Sequence, residues 1–266
     1  MKSKTISLFL LLLVMPFAAF SQQPQTIPNS ASSGSNRTFT VNGVSFTMVY
    51  VEGGTFTMGA TSEQGSDADD DEKPAHRMTL SNYYIGQTEV TQELWHAVMG
   101  RNPSSFKGRK RPVEQVSWND CQEFITKLNS LTGQRFRLPN EAEWEFAARG
   151  GNSSRGYKYA GSNTLDDVAW YYDNSNSKTR NVATKSPNEL GIYDMSGNVW
   201  EWCQDWYDEN YYSSSPQSNP HGPSSGSNRV FRGGGGNDDA ECSRVADRHD
   251  TGLGSRGDYL GLRLAL

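Results

Sequence analysis

Helical periodicity stops at Gly150, and no later stretch of this 266-residue chain restores it. From about Ser153 onward the sequence consists of short apolar runs set among Gly, Asn and Ser. Such a half can be built only from short strands joined by long polar loops. Aliphatic residues are few while Trp, Tyr and Phe are plentiful, so aromatic rings must carry much of the core. The expected domain is loop-rich, with a core resting on aromatic side chains.

Three helices precede the stop. Thr91 caps a short one carrying Leu94, Trp95 and Val98, with Gly100 as its end signal. A second spans about Asn119 to Leu131 and places Cys121, Phe124, Ile125, Leu128 and Leu131 on one face before Gly133. On that face Cys121 reads as packing rather than chemistry. A third begins at Asn140, with Glu143 as its capping-box partner, turns Trp144, Ala147 and Ala148 inward, and ends at Gly150. Upstream, Phe46, Met48 and Tyr50 alternate with polar residues and lead through Gly53-Gly54 to Phe56 and Met58, which predicts a hairpin. Asp67 to Glu72 reads as a solvated acidic loop rather than a metal clasp.

Residues 1–21 have the form of a signal peptide: Lys2 and Lys4, an apolar run from Ile6 to Phe20, and small residues around Ala19-Phe20-Ser21. Residues 22–42 are expected as a flexible linker, with order beginning near Phe39, and 43–266 as one domain. Export to the periplasm, cell surface or medium follows, with no membrane insertion after cleavage. The net charge of −5, with no Lys/Arg block, disfavours nucleic acid as a partner. Cys121, Cys203 and Cys242 allow one disulfide and one remaining thiol, and Cys203 with Cys242 is one such pairing.

Several stretches carry a signature. They include Gly53-Gly54-Thr55-Phe56-Thr57-Met58-Gly59, Glu89-Val90-Thr91 with Trp95, and Pro112-Val113-Glu114-Gln115-Val116-Ser117-Trp118. Phe136-Arg137-Leu138-Pro139-Asn140-Glu141-Ala142-Glu143-Trp144 and Gly191-Ile192-Tyr193-Asp194-Met195-Ser196-Gly197-Asn198-Val199-Trp200-Glu201-Trp202 follow, then Arg232-Gly233-Gly234 and Gly261-Leu262-Arg263. In order and spacing, residues 43–266 resemble the formylglycine-generating enzyme, or sulfatase-modifying factor, family. That resemblance implies a C-type-lectin-like α+β fold. It also implies a structural calcium ion held by Asp194, Glu201 and the carbonyls of Gly197 and Val199, and hard oxygens on a tight loop suit that ion. The competing account is that both acids only hydrogen-bond loop amides. Trp200, Trp202 and Trp206 are expected in the core, and Arg137 and Arg149 as partners of Glu143 or Glu145.

Active members of the family oxidise a sulfatase cysteine with copper held by two thiolates, since soft sulfur selects Cu(I). The corresponding segment here, from Gly233 to Val245, is short and holds Cys242 alone, so copper is not expected. Cys242 is the one catalytic candidate should the chain be active. His76, His96, His221 and His249 show no ligand-like spacing. Gly236 stands where the family usually has an aromatic residue, an exchange expected to open the pocket beside the loop.

Between the Arg232-Gly233-Gly234 and Gly261-Leu262-Arg263 brackets lies a polar segment, residues 237–259. Its candidate ligand-binding residues are Asn237, Asp238, Asp239, Cys242, Ser243, Asp247, His249, Asp250, Ser255, Arg256, Asp258 and Tyr259. Most are amino acids whose codons arise from an asparagine codon by changing adenines. The segment is therefore similar to the variable region of retroelement-diversified proteins of this fold, and equally to an ordinary polar loop of the family. The expectation is a non-catalytic scaffold offering this segment to a protein, peptide or glycan. A formylglycine-generating oxidase and a structural component of a surface or secretion assembly are the alternatives.

Overall fold

The computed structural model describes residues 34–266, so the expected signal peptide lies outside the described residues. In chain order the strands are β1 (Arg37–Val41), β2 (Val44–Val51), β3 (Thr55–Met58), β4 (His76–Thr79), β5 (Tyr83–Gly86), β6 (Trp200–Trp206), β7 (Asn228–Arg232), β8 (Arg248–Gly252) and β9 (Leu260–Gly261). The longer helices are α1 (Gln92–Met99), α2 (Trp118–Thr132) and α3 (Glu141–Ala148). Strand orders are β1-β2-β5, β3-β4 and β8-β7-β6-β9. β6 and β9 run parallel and the other neighbours antiparallel.

Order starts earlier than the sequence reading places it. β1 lies inside residues 22–42, expected as linker, because Phe39 stacks on Phe46 at 5.7 Å and meets Phe136 edge-on at 5.1 Å. The predicted hairpin across Gly53-Gly54 does not form. β2 pairs with β1 and β5, while β3 crosses to pair with β4. The two glycines serve close approach instead of a turn: a Cβ at Gly53 would sit 2.3 Å from the Leu80 carbonyl oxygen. β2 is therefore covered on both faces, with Met48 in one apolar cluster and Val49 and Val51 in another.

The helices follow their signals. The Thr91 hydroxyl accepts the Leu94 amide, and Gly100 ends α1 at φ 73°. α2 begins one residue earlier than expected, at Trp118, because Ser117 and Asp120 form a reciprocal cap. Its apolar face, Cys121, Phe124, Ile125 and Leu128, is buried against α1, with Trp95 stacked on Phe124 at 4.8 Å. α3 departs from an amphipathic helix, since every residue from Glu141 to Ala148 is buried.

The apolar C-terminal stretch, Leu260 to Leu266, does not form one continuous strand. β9 ends at Gly261, after which Ala265 bridges Ile85 and Arg137, and the Gly86 amide donates to Leu264 O at 2.8 Å. The chain end thus joins the first sheet to the third and holds β6 and β7 in place below the polar segment.

Candidate functional site

A buried ionic frame positions the candidate segment. α3 carries Glu141, Glu143 and Glu145 into the interior, where each needs a cation or hydrogen-bond donors to replace water. Arg232 of β7, fully buried, donates to Glu141 Oε1 at 2.8 Å, Glu145 Oε2 at 2.6 Å and the Val245 carbonyl at 2.8 Å. Arg248 grips both oxygens of Glu141 at 2.7 and 2.8 Å, and Arg244 grips both oxygens of Glu72 at 2.7 and 2.9 Å. Arg137 pairs with Glu143 and Arg149 with Glu145, as expected.

This frame divides residues 237–259 in two. Ser243 to Arg248 is buried throughout, so Ser243 and Asp247 are not surface ligand residues as the sequence suggested. Val245 joins the apolar cluster beneath α3 and Ala246 is fully buried, and Arg244 and Arg248 are committed to Glu72 and Glu141. The apolar Val245-Ala246 pair was the available signal. Arg244 and Arg248 were missed because their carboxylates lie far away in sequence. Glu72 likewise belongs to this frame and not to a solvated acidic loop.

The other part reaches solvent. Asn237, Asp239, His249, Arg256 and Asp258 are exposed, and Asp238, Cys242, Asp250, Ser255 and Tyr259 are half-buried. They are held, not loose. Trp200 Nε1 donates to Asp238 Oδ2 at 2.7 Å, and the Trp200 ring meets the His249 imidazole at 4.8 Å. Asp258 accepts from Ser105 and Gln115, Arg256 pairs with Asp120, and Asn228 donates to Asp250. Gly236 does not open a pocket: a Cβ there would lie 3.1 Å from Tyr259 Cε1, because the tyrosine ring fills the space. Two clefts, of about 280 and about 630 Å³, lie elsewhere and are lined by no residue of 237–259.

Cys121, Cys203 and Cys242 are all free, so the Cys203–Cys242 pairing does not form. Cys121 and Cys203 are buried in apolar clusters, as a small hydrophobe on a helix stripe or strand should be. The Cys242 thiol is pushed up to about 12 by burial and then by Asp247, Asp238, Glu241 and Asp239. Beside so many acids it is a weak nucleophile unless a cation is present.

Asp194 and Glu201 are both buried and electrostatically coupled, with Glu89 as a third acid nearby. Burial, then Asp194 and Glu201, push Glu89 well above the usual carboxylate range; burial raises Asp194 to about 6. Glu201, the other expected ligand, is engaged by donors on both oxygens. Both its oxygens accept from Arg263, and Trp144 Nε1 donates to Oε2 at 2.7 Å. Asp194 accepts only the Ala183 amide among the hydrogen bonds resolved, leaving oxygen beside a surplus of buried negative charge. Of the two expected ligand acids, Asp194 is the one not paired with a guanidinium among the described residues.

The model of the Sulfatase-modifying factor enzyme 1-like domain matches residues 35–266. A Paenibacillus barcinonensis protein named Chaperone protein LppX is 35% identical over 244 residues, covering 72% of this chain and 79% of that protein. The Formylglycine-generating enzyme of Streptomyces coelicolor is 31% identical over 284 residues, covering 82% and 88%. Among solved structures, Treponema denticola variable protein 1 superposes with a TM-score of 0.78 at 37% identity, covering 86% of this chain and 98% of that one.

Proposed function

Because the chain belongs to the sulfatase-modifying factor family, its site is measured against a two-thiolate oxidase, and we propose instead that it is an exported, non-catalytic binding scaffold. The observation that carries this reading is the split within residues 237–259. Ser243–Arg248 is locked into the ionic frame, while Asn237, Asp239, His249, Arg256 and Asp258 stand in solvent on braced backbone. Side chains presented on a rigid base lose little freedom on binding, and short polar groups beside the half-buried Tyr259 supply adaptable hydrogen bonds and a ring face. The likeness to a protein named variable protein 1 over 98% of its length supports the same use of the fold. A protein, peptide or glycan is the partner class. Cys242 is the only cysteine not fully buried, so a site needing two accessible thiolates has a single candidate sulfur.

Calcium belongs to this reading as a structural ion. Asp194 and the carbonyls of Gly197 and Val199 would hold it, and its charge would offset Glu89 and Asp194. Glu201 is reserved for Arg263.

The test selects binders for the purified chain from a displayed peptide library and a glycan array. Wholesale replacement of the segment is the wrong variant, since Ser243–Arg248 is interior. Replacing Asn237, Asp239, His249, Arg256 and Asp258 together with Ser should abolish capture and move the Tm by only a few degrees. Capture unchanged in that variant, or copper-dependent aldehyde formation on a sulfatase-type cysteine peptide, overturns the reading in favour of another surface or of the oxidase.

A further inference from the structure

The fold gathers three ligand-type side chains that sequence spacing does not advertise. The Cys242 Sγ, one carboxylate oxygen of Asp247 and one ring nitrogen of His249 all lie within 4.8 Å of one another. Asp247 Oδ2 stands 3.5 Å from His249 Nε2, too far for a hydrogen bond. That separation is close to the edge, about 3.4 Å, of a tetrahedron with zinc–nitrogen and zinc–oxygen bonds of about 2.05 Å.

A second, independent observation points to a ligand. Asp247 is only 3% exposed, and its Oδ2 makes no hydrogen bond although it is buried. A buried carboxylate oxygen without a donor is costly and rare, and this one faces the other two ligand atoms. The remaining oxygen, Oδ1, is oriented by Arg244 Nη2 at 3.4 Å, and that guanidinium is itself fixed on Glu72. A ligating carboxylate anchored through its second oxygen is the usual arrangement around metal ions. The His249 ring is fixed by Phe231, stacked at 5.8 Å, and by Trp200 at 4.8 Å.

We propose that Cys242, Asp247 and His249 form a site for one divalent ion of the zinc type, with its fourth position open to solvent. Mixed sulfur, nitrogen and oxygen donors in a three-ligand set suit zinc, and an open fourth position is the pattern of sites that bind a further group. The local charge favours a dication, since Asp238, Asp239 and Glu241 flank Cys242 and Asp69 and Glu72 lie beside Asp247. Among the described residues Arg244 is the guanidinium paired with Asp247, with Arg232 acting at longer range, and each is itself offset by buried glutamates. Binding displaces the Cys242 thiol proton and the proton that buried Asp247 carries, and both pass to solvent; no electrons move. It differs from a copper oxidase site, which needs a second sulfur.

The test titrates cobalt(II) into the reduced, chelator-stripped protein and follows thiolate-to-cobalt charge-transfer absorbance, then displaces it with zinc. One equivalent should bind, the band should vanish in Cys242→Ser, and His249→Ala should weaken binding by at least about 100-fold, the upper range for losing a ligand-orienting neighbour. Both variants alter residues that are not fully buried and leave Cys121 and Cys203 in place. No charge-transfer band, or a band that survives Cys242→Ser, overturns the proposal, as does unchanged affinity in His249→Ala. The readout needs no peptide or glycan, so it fails separately from the binding-scaffold reading.

Discussion

Replacing Arg244 with Met tests whether residues 237–259 are divided into frame and face. Arg244 is 1% exposed and holds both oxygens of a fully buried Glu72 at 2.7 and 2.9 Å. Methionine keeps much of the apolar stem but leaves that carboxylate with the Asp69 amide, at 3.2 Å, as its one remaining donor. Breaking a buried pair from one side costs about 3–5 kcal/mol, because a charge is stranded without water. For a domain of this size that is a fall in Tm of roughly 6–20 °C. Arg256→Ala is the matched control in the same segment. Its partner Asp120 is 2.8 Å away, but the arginine side chain is 50% exposed, so the loss should be about 0–1 kcal/mol. Glu72→Gln in the Arg244→Met background removes the stranded charge and should recover about 1–2 kcal/mol. Urea denaturation monitored by tryptophan fluorescence reads all three. An Arg244→Met loss as small as that of Arg256→Ala would refute the division, and with it the argument that the exposed residues stand on a rigid base.

Two further outcomes follow from the buried acids. Burial, and then Glu141, raise the Asp205 carboxyl to about 8, so the folded state keeps a proton that the unfolded chain releases above about pH 4. Stability should therefore fall as pH rises from about 4 to about 8, by at most about 1.4 kcal/mol per pH unit for this group. Asp205→Asn keeps an oxygen for the Glu141 amide, now at 2.9 Å, and should flatten that slope; urea midpoints unchanged in their pH dependence would count against it. Calcium at about 100 times its dissociation constant should add about 2.7 kcal/mol to the wild type and little to Asp194→Ala, read as Tm with and without chelator. An equal calcium effect in both proteins would move the ion elsewhere.

The helices were legible because their signals are local. Thr91 and Asn140 sit beside the amides they cap, and Cys121, Phe124 and Leu128 repeat at helical spacing. The family segments likewise identified the fold, and the expected C-type-lectin-like α+β architecture is the one found. Where a residue's partner lies far along the chain, the sequence was silent. Gly53-Gly54 looks the same whether it turns a hairpin or admits Leu80 and Asn82, and only the packing chose the second.

The sequence by itself determined the domain, the three helices, the single cysteine of the Gly233 to Val245 segment and the polar composition of residues 237–259. Tertiary structure alone decided which of those polar residues face water. Glu72 and Arg244 are 172 residues apart and Glu141 and Arg248 are 107 apart, so no local pattern could pair them. Taking a charge out of water is tolerable only where the fold delivers its opposite at hydrogen-bond distance. That requirement drew Arg244 and Arg248 inward and left Asn237, Asp239, His249, Arg256 and Asp258 outside.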